Sequence, residues 1–188
     1  MTARELIDFM GVIEKLKCAE RHCVTTSGRV ESVAEHSWRL AVMAMLACGE
    51  APGVDRDRVI KMCLIHDFGE AITGDIPTFL KTDSDREVEN GAIERLISSL
   101  PERERSEMAE LFLDMERMES PEARLVKALD KCEALLSHNE ADISSWLPLE
   151  YDLQLTYAQK ECQAFPFTRE LRAALEEDSR RKIEAAAQ

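Results

Sequence analysis

Along almost the whole chain, apolar residues recur every three to four positions, the spacing of a helix with one face turned inward. In "PERERSEMAELFLDMERM", Met108, Leu111, Phe112 and Met115 fall at i, i+3, i+4 and i+7, a stripe that needs nothing but a core to explain it. The same period predicts helices over residues 3–18, 33–49, 55–72, 84–99, 121–141, 149–164 and 168–186. Local punctuation agrees with these spans. Ser120-Pro121 reads as an N-cap followed by proline at the first helical position. Leu100-Pro101 separates two helices, Ala51-Pro52-Gly53 closes the second, and Gly74 with Pro77 ends the helix that carries His66. No alternating β-branched run of useful length appears. The pattern therefore predicts an all-α, single-domain helical bundle over residues 1–188, with its core at about 5–165 and a C-terminal helix at 168–186.

One long irregular stretch interrupts the helices: "AERHCVTTSGRVES", residues 19–32. A loop of this length inside a helical domain is often functional. It gathers Arg21, His22, Arg29 and Thr25-Thr26, cationic and hydroxyl groups free of adjacent acids, although a solvated connector is the plain alternative.

Composition changes the picture little, and charge changes it more. At 188 residues the chain is long enough to bury a proper core, and 45% hydrophobic with 32% charged residues is ordinary for a globular protein. The formal net charge of −13 repels polyphosphate backbones, which argues against a nucleic-acid polymer as partner. A small anionic substrate remains compatible if a metal or local arginines reverse the field inside a pocket. The six cysteines form no C-x-x-C pair, and four of them lie in or beside apolar helical stretches, so they are expected as free thiols in a reducing compartment. Charges at Arg4, Glu5 and Asp8 break the N-terminal apolar run, and no run reaches the roughly 18 residues needed to span a bilayer. No signal peptide or membrane segment is therefore expected, and a cytoplasmic location follows.

The candidate chemistry is carried by a few polar residues in apolar settings. Among four histidines, His36 lies early in "ESVAEHSWRLAVMAMLA" and His66 ends the run "VIKMCLI". Asp67 follows at once, and "VKALDKCEALL" sets Asp130 among Val126, Leu129 and Leu135. Buried histidine and aspartate are costly unless paired or bound to metal. Each alone is more often a satisfied core group. Together they suit one divalent cation held by two imidazoles and two carboxylates with positions left open. Glu70 follows His66 at i+4 and Asp67 at i+3, one helical turn later on the same face, where a general acid or base is needed. A solvent-facing Glu70 is the even alternative. Asp75, in the "TGDIP" turn, is either a cap or a group pointing into a pocket.

The order His36, His66-Asp67 and Asp130, with "HDFGEAITGDIPT" and "KALDKCEALL" around it, resembles the HD-domain metal-dependent phosphohydrolases, in the branch containing 5′-deoxynucleotidases. The resemblance spans about residues 5–165. It implies a helical bundle, commonly homodimeric, and a hydrolase that releases phosphate from (deoxy)ribonucleoside 5′-monophosphates. It places the metal ligands on His36, His66, Asp67 and Asp130, with Asp67 and Glu70 as the catalytic carboxylates. It puts Asp75 near the sugar and Arg21 on the phosphate. His22 stands where bacterial relatives carry a tryptophan beside the base, so base stacking is expected to differ. From Phe68 to Leu129 the chain has no histidine, which predicts one divalent metal ion rather than two or three. Mn²⁺, Co²⁺, Fe²⁺ and Mg²⁺ all suit such ligands. His138 is expected at the surface or behind the ligands. Two alternatives compete with this reading. One is the same site acting on nucleoside triphosphates, alarmones or cyclic nucleotides, for which the loop offers few cations. The other is a non-enzymatic helical binding protein held by a closed metal clamp, which would have no use for Glu70 or Asp75.

Overall fold

The computed structural model describes residues 1–187. Its helices are α1 (Ala3–Ile13), α2 (Val33–Ala47), α3 (Arg56–Ile65), α4 (Glu70–Thr73), α5 (Asp83–Ser98), α6 (Glu102–Arg117), α7 (Pro121–Glu140), α8 (Glu150–Thr156) and α9 (Pro166–Ala186). The all-α expectation holds, with one local exception. The predicted connector 19–32 folds as a small antiparallel hairpin, β1 (Glu20–Val24) and β2 (Val30–Ser32), with Glu20 opposite Ser32 and Val24 opposite Val30. Gly28, at φ +80°, makes its turn.

Several helix starts are set by side-chain caps, of which only Ser120-Pro121 was expected from the sequence. Ser32 and Glu35 form a reciprocal capping box at α2, as do Thr2 and Glu5 at α1 and Thr82 and Asp85 at α5. Ser120 accepts from the Ala123 amide, with Pro121 in the first turn of α7. The end of α6 is set by Met118 in the left-handed region, at φ 56°.

Helix α7 is the axis of the molecule. Leu125, Ala128, Leu129 and Cys132 on it are fully buried, and it packs against α2, α3 and α9. Leu40, Val59, Met62 and Cys63 from α2 and α3 complete the main core. Each such buried aliphatic side chain contributes about 1.5–3 kcal/mol of apolar burial. Five cysteines are buried free thiols and Cys18 is exposed, in keeping with the free-thiol expectation. No helix of the described residues is long and apolar enough to cross a membrane.

Two predicted spans break where the chemistry lies. The span 55–72 ends at Ile65, four residues form a turn, and α4 begins at Glu70. His66 is thus the C-cap of α3, and Asp67 and Glu70 do not share one continuous helix face as the spacing predicted. Gly69 permits the turn. A Cβ there would meet Glu89 Cγ at 2.6 Å and the Glu89 carbonyl at 3.2 Å, so only glycine lets this backbone lie against α5. The span 149–164 likewise stops at Thr156, with Ala158 at φ 64° turning the chain.

Candidate metal centre and substrate cavity

Four side chains from three places in the fold converge beside α7. His36 comes from the first turns of α2 and is fully buried; His66 and Asp67 come from the turn after α3; Asp130 comes from the middle of α7. His36 Nε2 lies 3.2 Å from Asp130 Oδ1 and 3.3 Å from His66 Nε2. His66 Nε2 lies 3.0 Å from Asp67 Oδ2 and 3.7 Å from Asp130 Oδ1, and His36 Nε2 lies 3.9 Å from Asp67 Oδ2. Donors bound at about 2.1 Å to one centre sit about 3.0–3.4 Å apart, so these separations suit a shared cation.

The fit can be tested on the protons. His66 Nδ1 lies 2.9 Å from the Cys63 carbonyl, which only accepts, so Nδ1 carries the hydrogen. His36 Nδ1 is held by the carboxylate of Glu133. In their neutral forms both rings therefore aim an Nε2 lone pair at the same point, where two carboxylate oxygens also meet. Four acceptors facing one another repel unless protons or a cation lie between them. Burial works against a charged His66, yet Asp67 and Asp130 outweigh it and hold its pKa well above the usual histidine range. The cluster demands positive charge, and its imidazole–carboxylate chemistry fits a divalent metal.

Glu133 is absent from the set read from the sequence. It is fully buried, holds His36 Nδ1, accepts from Ser137 Oγ at 3.0 Å, and lies 3.4 Å from Arg21 and 3.7 Å from Arg39. The signal was available. Glu133 follows Asp130 by three residues and is flanked by the buried Cys132 and Leu135, so it faces inward on the same side of α7.

Glu70, the first residue of α4, is 4% exposed, and its Oε2 is buried without a hydrogen-bond partner. Oxygens of Asp67, Glu70 and Glu89 lie within 4.8 Å of one another. Burial, together with the charges of Asp67, Asp75 and Glu89, pushes the Glu70 pKa up to about 9, against the opposing Lys81 ammonium 3.9 Å away. Glu70 is therefore an inward-facing carboxyl of raised basicity, not a solvated one.

Beside this centre lies a cavity of about 140 Å³ whose wall includes Arg21, His22, Asp75, Phe79, His138 and Tyr157. All three predicted substrate residues reach it. Arg21 and His22 arrive on β1, and Asp75 follows Gly74, whose φ of +74° turns the chain inward. Arg21 is not free of acids as the linear sequence suggested: its guanidinium lies 3.1 Å from Glu31 on β2 as well as near Glu133. Folding brings those carboxylates in from 10 and 112 residues away. His22 sets its edge against Phe79, with ring centroids 5.6 Å apart. His138 lies in the same wall, half-buried, with its Nε2 2.8 Å from Glu150. Burial opposes its charge, but Cys23 and Glu150 beside it raise its pKa to about 10.

A helical bundle that closes two histidines and two carboxylates on one point, beside a cavity with an arginine, has the construction of an HD-type metal-dependent phosphohydrolase. The HD domain family model matches residues 13–169, and the chain belongs to that family. It is 34% identical over 142 residues to the 5′-deoxynucleotidase HDDC2 of Homo sapiens, covering 73% of this chain and 69% of that protein. It is 30% identical over 177 residues to the 5′-deoxynucleotidase of Erwinia tasmaniensis, covering 87% and 89%. Its fold matches a predicted metal-dependent phosphohydrolase from Magnetospirillum magnetotacticum with a TM-score of 0.82 and 30% identity, over 95% of this chain and 93% of that one. The cyanophage S-2L HD phosphohydrolase DatZ, solved with dA and one catalytic Zn²⁺ ion, shares the fold at a TM-score of 0.57 and 22% identity, over 98% of each chain.

Proposed function

We propose that the chain is a metal-dependent phosphomonoesterase that hydrolyses (deoxy)ribonucleoside 5′-monophosphates to nucleoside and phosphate. The observation that carries this reading is the pair of tautomer-fixed Nε2 atoms, 3.3 Å apart, facing Asp67 and Asp130 and joined through Glu133 to Arg21 in the cavity wall. His36, His66, Asp67 and Asp130 would hold one divalent ion, with Mn²⁺, Co²⁺, Fe²⁺ and Mg²⁺ the candidates. Such an ion polarises a phosphate and activates water for attack. Arg21, fixed by Glu31 and Glu133, donates to non-bridging phosphate oxygens; Asp75 accepts from the sugar hydroxyl; His22 and Phe79 flank the base. Glu70 moves the proton, with its orphaned Oε2 as the acting atom. Arg21 is the one Lys or Arg in the described cavity wall, and Arg29 is engaged by Glu35 at 2.7 Å, so a single phosphate is matched better than a triphosphate chain. The direct test is phosphate release from a panel of nucleoside mono-, di- and triphosphates with each metal in turn. Release confined to 5′-monophosphates is expected; metal-loaded protein inactive on every monophosphate overturns the reading.

The same reading includes a homodimer. Trp38, Met45 and Leu46 lie at i, i+7 and i+8 on α2 and are 65%, 49% and 70% exposed, an apolar stripe suited to a second copy. Light scattering at micromolar concentration is expected to give twice the monomer mass, and Trp38→Glu to halve it.

Glu70→Gln separates the proton role from the fold. Its turnover number is expected to fall about 10²–10⁴-fold with little change in metal content. A folded-state pKa raised to about 9 means stability present below the unfolded value of 4.5 and lost as pH rises through 9. Metal-free Glu70→Gln is therefore expected to be more stable than wild type at pH 8, by roughly 1–3 kcal/mol. Equal urea midpoints at pH 8 would contradict the buried, raised carboxyl.

A further inference from the structure

We propose that His22, His138 and Glu150 form a second metal site, for a first-row transition ion such as Zn²⁺, in the wall of the substrate cavity. The three residues come from β1, α7 and α8, and one ligand atom of each lies within 4.8 Å of the others. The proton of His138 is as constrained as those of the HD centre. His138 Nδ1 lies 3.0 Å from the Ala134 carbonyl and 3.4 Å from Cys23 Sγ, so that nitrogen carries the hydrogen and Nε2 is the lone-pair nitrogen of the neutral ring. That lone pair faces Glu150 Oε1 at 2.8 Å. Glu150 is 1% exposed, and its other oxygen accepts from the Leu147 amide, which leaves Oε1 as the atom it offers. His22 Nε2 approaches the same oxygen at 3.2 Å.

A proton shared between His138 and Glu150 explains one of these contacts only. His22 Nε2 is buried and makes no hydrogen bond, although it lies 3.2 Å from Glu150 Oε1. A cation seated among the three atoms engages that nitrogen as well. Two imidazoles and one carboxylate, with the remaining positions opening on a cavity, are a donor set that zinc takes in proteins. The outer contacts are in place too. The Ala134 carbonyl orients His138, and the Trp146 indole donates to the His138 carbonyl at 3.0 Å, fixing the end of α7 against the segment that leads to Glu150. Seating an ion requires Glu150 and His138 to part by only a few tenths of an ångström, from 2.8 Å to about 3.0–3.4 Å.

Equilibrium dialysis of the metal-free full-length protein against Zn²⁺, with elemental analysis, tests the site without using activity. Wild type is expected to bind one equivalent more than His22→Gln and one more than His138→Gln. Asp130→Asn is expected to keep the equivalent that His22→Gln loses, which separates this site from the HD centre. With Co²⁺, the visible ligand-field band retained by Asp130→Asn is expected to vanish in the Asp130→Asn/His22→Gln double variant. His22 is half-exposed on a hairpin, so His22→Gln decides the matter should His138→Gln unfold. Equal Zn²⁺ equivalents in wild type and folded His22→Gln overturn the proposal and leave a proton-bridged His138–Glu150 pair.

Discussion

Asp130→Asn is expected to lower phosphate release from a deoxyribonucleoside 5′-monophosphate by about 10³-fold or more while the helical fold persists. The factor corresponds to several kcal/mol of transition-state stabilisation that a bound cation supplies. Asp130 is the group that links the two imidazoles, at 3.2 Å from His36 Nε2 and 3.7 Å from His66 Nε2. Burial pushes its pKa up, but Lys127 and the two histidines overcome that and hold it well below the usual carboxylate range. An amide of the same shape keeps the packing of α7 but removes the charge that balances the ion. It also leaves Lys127, 3.0 Å from Oδ2, without its counter-ion, and that uncompensated positive charge opposes a cation at the centre. Phosphate release, metal content and helical circular dichroism measured on one preparation check all three statements. Asparagine variant with full metal content and turnover within ten-fold of wild type would remove Asp130 from the ligand set.

What was legible in the sequence was the part governed by local pattern. The period of α6 and α7, the Ser120 cap and the apolar settings of His36, His66 and Asp130 are all short-range facts, and the structure contains each of them. The hairpin was not legible. Its two strands are five and three residues long, and it is held by pairing with itself and by packing on α7 rather than by β-branched alternation. The break at His66 was hidden for a similar reason. The residues around "HDFGEA" keep a helical apolar spacing, and only the close approach of Gly69 to Glu89 on α5 reveals that the helix stops. Glu133 shows a third kind of gap. Its spacing from Asp130 turns it inward, but what it does there depends on partners, Arg21 and His36, that lie 112 and 97 residues away in sequence.

These partners explain how one set of contacts serves two jobs. Glu133 fixes the tautomer of His36, which sets the direction of a metal-binding lone pair. Through the same carboxylate it restrains Arg21, the proposed phosphate ligand, in the cavity wall. The candidate metal ligand His36 and the proposed phosphate ligand Arg21 are thus positioned by one buried acid on α7. Preorganisation of this kind keeps the reacting groups in register without reordering when substrate arrives.

Glu133→Ala is accordingly expected to be the most destabilising single change at the site. Removing one partner of a buried charge cluster costs about 3–5 kcal/mol: the buried His36 N–H loses its acceptor, and Arg21 and Arg39 keep only Glu31 and Glu140 nearer the surface. For a chain of this size that amounts to a fall of roughly 10 °C in Tm. Burial raises the Glu133 pKa, but His36, Arg21 and Arg39 outweigh it and leave the value lowered. A lowered folded-state pKa contributes stability above the unfolded value of 4.5, and that stability is lost as pH falls through the folded value. The stability difference between wild type and Glu133→Gln is therefore expected to be constant near neutrality and to shrink below about pH 4.5. Glu133→Gln, which keeps an acceptor oxygen for His36, is expected to fold close to normally yet bind the metal 10–100-fold more weakly, as removal of a ligand's orienting partner does. Urea melts between pH 3.5 and 7, paired with metal titration of both variants, separate the two effects. A Glu133→Gln protein with wild-type metal affinity would reduce Glu133 to a packing residue and detach Arg21 from the metal centre.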